Sequence, residues 1–324
     1  VFKSGNQTTA LSEGLVCNGG AGAGSCTSVG GEQQSPGGLP APNEDADGVA
    51  QRETGLIVGY DGAAWRDELG RDWSNQVRFN LPDLDVFAID ADAPVPVETA
   101  AFANVGTVNY AMAINPATNK LYVANTDANN RVRFEGVRES GDLTTTVRGD
   151  IHRAQITVID PAAPAVTPRP LNTHIDYSDH APAPAIKAKT LATPMGMAVS
   201  ADGQTVYVAA MGSGKIGVFE AAKLEDGSFV PDTANQINLT GGGPAGVVLD
   251  EGNGLLYALT RFDNAVKVID TATKTQIEDH PLHNPEPAEV VAGRRFLHDA
   301  AYTSANGEAS CGVCHVGADK DELA

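Results

Sequence analysis

Apolar and polar positions alternate through the middle of this chain, and the alternation returns in phase three times. The first unit runs from Met112-Ala-Ile-Asn-Pro to Leu121-Tyr-Val123. The second runs from Met197-Ala-Val-Ser-Ala to Val206-Tyr-Val208, and the third from Val247-Val-Leu-Asp-Glu to Leu256-Tyr-Ala258. In each, the first apolar residue precedes the tyrosine by ten positions, and Tyr207 and Tyr257 lie 50 residues apart. Each unit predicts two half-buried strands joined by a tight turn, at residues 115–119, 201–203 and 250–254, where Asn, Pro, Asp and Gly collect. A further polar turn is expected at 127–130, 212–214 and 263–264, leading into third strands at 131–134, 215–219 and 265–269. Three strands and two turns, repeated at this period, are the pattern of a propeller blade. A sandwich is the rival all-β reading, but sandwiches lack a long internal repeat. From Tyr122 to Tyr207 the spacing stretches to 85 residues, room for an insertion or part of another blade. Residues 155–160 predict a strand there, and residues 83–90 an earlier one. The expected fold class is therefore all-β, a β-propeller of about seven blades, complete or incomplete.

Composition narrows the partners. The 324 residues are 42% hydrophobic, enough for a large core. No apolar run reaches the roughly 18 residues that a membrane span needs. The net charge of −19, from 22 basic and 41 acidic residues, argues against nucleic acid and anionic lipid, whose phosphates would be repelled. The opening Val1-Phe2-Lys3 has no export signal and looks like the end of an outer blade strand, Val218-Phe219-Glu220. The expectation is a removed leader or an internal piece of a longer chain. Residues 1–54 are rich in Gly and Pro and predict a loop region attached to the propeller, with blades over 55–290. Asn43, Asp45 and Asp47 before Gly48 give a weak calcium candidate, because no bidentate acid follows at the needed spacing.

The chemistry sits near the end, in Cys311-Gly-Val-Cys314-His315. This is the Cys-x-x-Cys-His pattern of covalent c-type haem attachment. Two thiols bond the vinyl groups along one edge of the ring, and the following histidine ligates iron. A redox disulfide would need a thioredoxin-like βαβ context, and a zinc site would need a second ligand pair. Residues 291–324 are accordingly expected to be a short haem-binding segment, the start of a cytochrome c-like domain, holding one haem c. Such attachment implies an exported, periplasmic or extracellular protein. In that oxidising setting the remaining pair, Cys17 and Cys26, is expected to form a disulfide. His298 and His283 are the candidate distal iron ligands, with Met195 and Met211 behind them; methionines near blade starts (Met112, Met195, Met197) otherwise read as core. His152, His174, His180, Asp176 and Asp179 gather around the insertion as a weak metal candidate.

Two resemblances accompany these motifs. Leu121-Tyr-Val-Ala-Asn125 and Val206-Tyr-Val-Ala-Ala210 resemble the YVTN type of bacterial β-propeller. Gly293-Arg-Arg-Phe296 through Asp299, Thr303-Ser304, Asn306-Gly307 and Ser310 to His315 resemble the haem-attachment region of the bacterial dihaem cytochrome c peroxidase and MauG group. Together they imply a propeller followed by a haem region in an exported protein. Only nine residues follow His315, and a second haem motif is missing from the sequence, so the peroxidase activity does not transfer with the resemblance. Three functions follow: electron transfer through a single haem, part of a peroxidase-like oxidase completed by a second haem domain or subunit, or a propeller that binds a partner. The expected partners are a redox protein or a subunit that completes the haem pocket.

Overall fold

The computed structural model describes residues 8–11, 56–61, 63–66, 70, 72–74, 77, 84–132, 150–177, 179 and 182–316. Short strands come first. Strands β1 (Thr8–Leu11), β2 (Leu56–Tyr60) and β3 (Trp65–Arg66) make one antiparallel sheet, and β4 (Val86–Asp90) pairs with β5 (Val97–Phe102). Three four-stranded antiparallel sheets follow. The first holds β6 (Val108–Ile114), β7 (Leu121–Val132), β8 (Asp150–Asp160) and β9 (Ala165–Pro170). The second holds β10 (Pro194–Val199), β11 (Thr205–Ala210), β12 (Lys215–Glu220) and β13 (Gln236–Asn238). The third holds β14 (Pro244–Asp250), β15 (Leu255–Thr260), β16 (Ala265–Asp270) and β17 (Thr275–Pro281). Within each sheet every strand pairs with the next one in sequence. The first strands stand side by side across the sheets, β10 between β6 and β14. Gly196 of β10 comes so near β14 that a Cβ there would sit 2.8 Å from the Ala245 carbonyl oxygen. Meandering sheets arranged radially about neighbouring first strands are the blades of a β-propeller.

The alternation in the sequence has a stronger cause than a half-buried strand. On β11, Val206, Val208 and Ala210 pack toward the first blade with Tyr122 and Ile156, while Tyr207 and Ala209 pack toward the third with Leu256 and Ile269. All five are buried, so this strand is apolar on both faces because it lies between two other blades. The inner strands are less covered, and Met112, expected in the core, is 61% exposed on β6. Met197 does pack against the core between the first two blades.

Tight turns fall where predicted. Asn119 (φ 56°) and Gly203 (φ 72°) take the left-handed conformation between first and second strands, which Asn and Gly tolerate best. One predicted turn is instead a strand. Residues 127–130 lie inside the twelve-residue β7, where Asp127 is paired with Arg153 and Ala128 with His152. The ladder to β8 overrides the local turn preference of Asp and Asn. The third strand of this blade is therefore β8, with residues 131–132 ending β7, and the extra length is divided between the β7–β8 and β9–β10 connections. Residues 8–11, expected in a loop, form β1 by pairing with distant β2, which local composition does not reveal. The Cys17–Cys26 pair, the calcium candidate at Asn43, Asp45, Asp47 and Gly48, the opening Val1-Phe2-Lys3 and His180 lie outside the described residues. Helices are short: α1 (Pro184–Lys189) precedes the second blade and α2 (Ala221–Asp226) follows β12. No helix among the described residues is long and apolar enough to cross a membrane.

Candidate functional site

After β17 the chain folds into α3 (Ala288–His298), α4 (Ala300–Thr303) and α5 (Cys311–Cys314). Helix α3 begins behind Pro287, whose ring cannot continue a helix backwards, with Glu289 in its first turn and Arg295 and His298 in its last. The side chains of Cys311 and Cys314 stand at i and i+3 of α5 and so share one side of the turn. The His315 amide donates to the Cys311 carbonyl at 2.9 Å, which closes the turn and sets His315 directly after the second thiol. All three side chains are partly buried, and both cysteines carry thiols rather than a disulfide.

The segment leading into this turn is buried and polar. Thr303, Ser304, Asn306, Glu308 and Ser310 are each less than a tenth exposed. The Asn306 side-chain oxygen accepts from Ser304 Oγ (2.8 Å) and from the Glu308 amide (3.0 Å), while Thr190 Oγ1 donates to the Asn306 carbonyl (2.8 Å). Glu308 reaches furthest, with 1% of its surface exposed. Its Oε1 accepts from the Ala154 amide on β8 (2.9 Å) and from Asn172 Nδ2 (2.8 Å), and its Oε2 accepts from the Tyr177 hydroxyl. Burial raises the Glu308 pKa, although bonds from Tyr177, Asn172 and Ala154 and the nearby Arg153 pull the other way. Arg153 lies 4.1 Å over the Tyr177 ring and pairs with Asp150 at 2.6 Å, closing the outer side.

A second wall touches α5 itself. A Cβ on Gly312 would fall 2.3 Å from His298 Nδ1, so the His298 ring rests against the backbone of the thiol-bearing turn. Phe262, just after β15, stacks with that ring, centroids 6.4 Å apart and planes 22° apart. His298 thus holds the turn's back. Burial, helped by Arg294, lowers its proton affinity. His283 is exposed beyond β17, its carbonyl accepting from Asn264. Met195 lies on β10 and Met211 directly after β11, both partly buried.

Tyr110, like Glu308 and Phe262, is a residue near the turn that sequence reasoning missed. It occupies an irregularity in β6 between Asn109 and Ala111, and the same irregularity recurs in β10 between Pro194 and Met197 and in β14 between Pro244 and Gly246. Such bulges re-aim side chains. The Tyr110 hydroxyl is buried without a hydrogen bond; Thr126 lies beside it at a geometry that leaves it unbonded. Burial raises its pKa, and the Cys314 sulfur is close enough to add to that. A buried hydroxyl without a partner costs about 1–3 kcal/mol, so this one is suited to a polar group held beside the thiols.

The described members of the weaker metal candidate, His152, His174, Asp176 and Asp179, do not converge. His174 Nε2 sits 3.1 Å from the Ile186 carbonyl and 3.3 Å from Thr190 Oγ1, tied to α1 and its end. Among the described residues no three His, Cys, Asp or Glu side chains converge on a metal-sized space. Among the described residues Cys311 and Cys314 likewise meet no further pair of ligands of the kind a zinc site takes. Two half-buried thiols on one turn, a following histidine and an unbonded hydroxyl fit an edge-bonded ring whose metal takes an imidazole.

The molecule is thus a β-propeller carrying a Cys-x-x-Cys-His turn packed onto the end of its blades where the inner strands begin. No family model and no curated protein matches the chain. Among solved structures it is similar to hydrazine synthase of Kuenenia stuttgartiensis, with 17% identity, TM-score 0.41, and coverage of 82% of this chain and 69% of that one. It is also similar to a functionally unknown protein from Desulfotomaculum acetoxidans, with 12% identity, TM-score 0.39 and coverage of 61% and 50%. A third is the Cps50 (Swd1) β-propeller domain of Myceliophteria thermophila, with 12% identity, TM-score 0.36 and coverage of 62% and 54%. The chain spans about half the length of the last two. Likenesses of this size carry no functional inference, and the propeller is established by the strand ladders themselves.

Proposed function

We propose that this chain is an exported c-type haem protein that transfers electrons, with one haem bonded through Cys311 and Cys314 and its iron bound by His315. The observation that carries the reading is the turn itself: two thiols on one side of α5 and a histidine fixed next to them by the bond to the Cys311 carbonyl. When bound, haem supplies an iron centre that accepts and releases single electrons. The chain's own residues do the rest. Glu308 and Asn306 anchor the approach to the turn, and His298 and Phe262 back it. The Tyr110 hydroxyl is left as a donor toward the group beside Cys314. Of the two histidines considered as a second iron ligand, His298 already packs on the attachment turn, so its role here is to position the turn. Covalent attachment of this kind belongs to the oxidising compartments outside the bacterial cytoplasm, and a redox protein is the partner.

The test is expression in a host that attaches c-type haem. The denatured polypeptide is expected to carry the mass of one haem and to give the spectrum of a haem with two thioether bonds. Cys311→Ala with Cys314→Ala is expected to remove that mass. His315→Ala is expected to keep the mass and lose the imidazole-ligated spectrum. A wild-type chain that leaves the maturation host without added mass sinks the reading.

A further inference from the structure

We propose that the first complete blade, β6–β9, is a working part of the attachment site, and that Glu308 is the positioning residue that joins the two. The proposal concerns the same turn as the haem reading and gives that reading its geometry, but it rests on its own contacts. An acidic side chain has been carried from the segment just before Cys311 into the interior of the blade, where it is almost fully enclosed. Burying a carboxylate is unfavourable unless both of its oxygens are hydrogen-bonded. Here the receiving groups come from separate places. The Ala154 amide belongs to β8, Asn172 follows β9, and Tyr177 lies further along the same connection.

Asn172 is shared between this socket and the next blade. Its Nδ2 also lies 2.8 Å from the Leu191 carbonyl, and its Oδ1 accepts from the Leu191 amide at 2.9 Å. Leu191 stands three residues before the start of β10, so the socket is braced by both blades. Thr190 and Lys187 add two more ties to the same segment, to the Asn306 and Ala301 carbonyls at 2.8 and 3.0 Å. Gly307, between Asn306 and Glu308, has φ 84° and passes so close to Lys187 that a Cβ would fall 2.8 Å from its Cγ. The chain is therefore bent at Gly307 and driven inward at Glu308, three residues before the first thiol. Pulling Glu308 out of the socket releases the thiol turn; keeping it in fixes where the turn points.

The acceptor matters more than the charge. In Glu308→Gln the amide oxygen can take the place of Oε1 and keep the Ala154 and Asn172 bonds, and the amide nitrogen can donate to the Tyr177 oxygen. Glu308→Asp keeps the charge but is one methylene too short, and Glu308→Ala keeps neither.

The experiment reads the reactivity of Cys311 and Cys314 toward a maleimide in the full-length, reduced, haem-free chain, with Cys17→Ser and Cys26→Ser as background. Labelling in Glu308→Ala and Glu308→Asp is expected to rise by about ten-fold or more, the least expected from losing one buried bond to a carboxylate. Glu308→Gln is expected to stay near wild type. Circular dichroism checks that the blades persist. If Glu308→Ala does not fold, Asn172→Ala and Tyr177→Phe each remove one partner and are expected to raise labelling in smaller steps. Equal labelling rates in folded Glu308→Ala and wild type overturn the proposal, as does a Gln variant as reactive as Ala. The haem reading fails separately: a chain that takes up no haem while obeying this labelling order keeps the latch and loses the haem.

Discussion

His152 is buried at the start of β8 with neither ring nitrogen hydrogen-bonded. Burial lowers its pKa to about 4, against smaller opposing effects of Asp150 and of the Glu308 backbone, which lies beside the ring at a geometry that leaves it unbonded. In the unfolded chain the same imidazole takes a proton near the ordinary value of 6.5. The folded state therefore binds fewer protons between these two values. Its stability contribution is complete above pH 6.5 and is lost as pH falls toward 4, a difference of about 3 kcal/mol for a shift of this size. His152→Leu, which removes two unpaired polar atoms from the interior, is expected to be neutral or stabilising at pH 7 and to flatten the fall in Tm between pH 6.5 and 4. An equally steep fall in both proteins would show that other groups set the slope. Nothing in the sequence marked His152 as buried, because the Glu308 backbone beside it comes from 156 positions away. The thiols and His315 were legible as a motif. Glu308, Tyr110 and Phe262 were not, since each acts through a contact between distant segments.

At the scale of elements, the in-phase tyrosines located three blades correctly because each blade repeats the same local turn and strand geometry. Tyr122 shows what the repeat is for. Its hydroxyl donates to Glu225 Oε1 at 2.6 Å across the joint between the first blade and α2 of the second. The same carboxylate takes Lys120 Nζ at 2.7 Å and Thr118 Oγ1 at 2.9 Å. Burial alone would raise the Glu225 pKa, but the bonds from Lys120, Tyr122 and Thr118 outweigh it and the net shift is downward. A carboxylate lowered in the folded state stabilises the fold above its unfolded value and stops doing so as pH falls through its folded value. Glu225→Gln is therefore expected to lower Tm at pH 7 and to shrink the loss of Tm on acidification below about pH 4.5. The check is thermal melting of both proteins at pH 7, 5, 4 and 3; parallel curves would remove Glu225 from the acid response. Where the sequence misled, at residues 127–130, the cause was also a joint between elements: Asp and Asn favour turns locally, but pairing with Arg153 and His152 on β8 keeps the strand going.

The whole molecule carries a net charge of −19, and a field of that sign acts on anything that approaches the thiol turn. The thiol turn is only partly buried, so a haem bonded there would exchange electrons with small reagents from solution. A cationic oxidant such as hexaammineruthenium(III) should then be concentrated near the protein, and an anionic one such as ferricyanide kept away. At low ionic strength the ratio of their rate constants, corrected for driving force, is expected to favour the cation by about ten-fold or more. Salt should slow the first reaction and speed the second, because screening shortens the field to about 10 Å at 0.1 M. Stopped-flow oxidation of the reduced protein at several salt concentrations reads both slopes. If both slopes reverse, with salt speeding the cation and slowing the anion, the local field at the turn is not that of the whole molecule. Cations around it, such as Arg294 and Arg295 on α3, Lys187 on α1 and Arg153 beside the Glu308 socket, would then govern approach, and the partner surface would have to be acidic instead of basic.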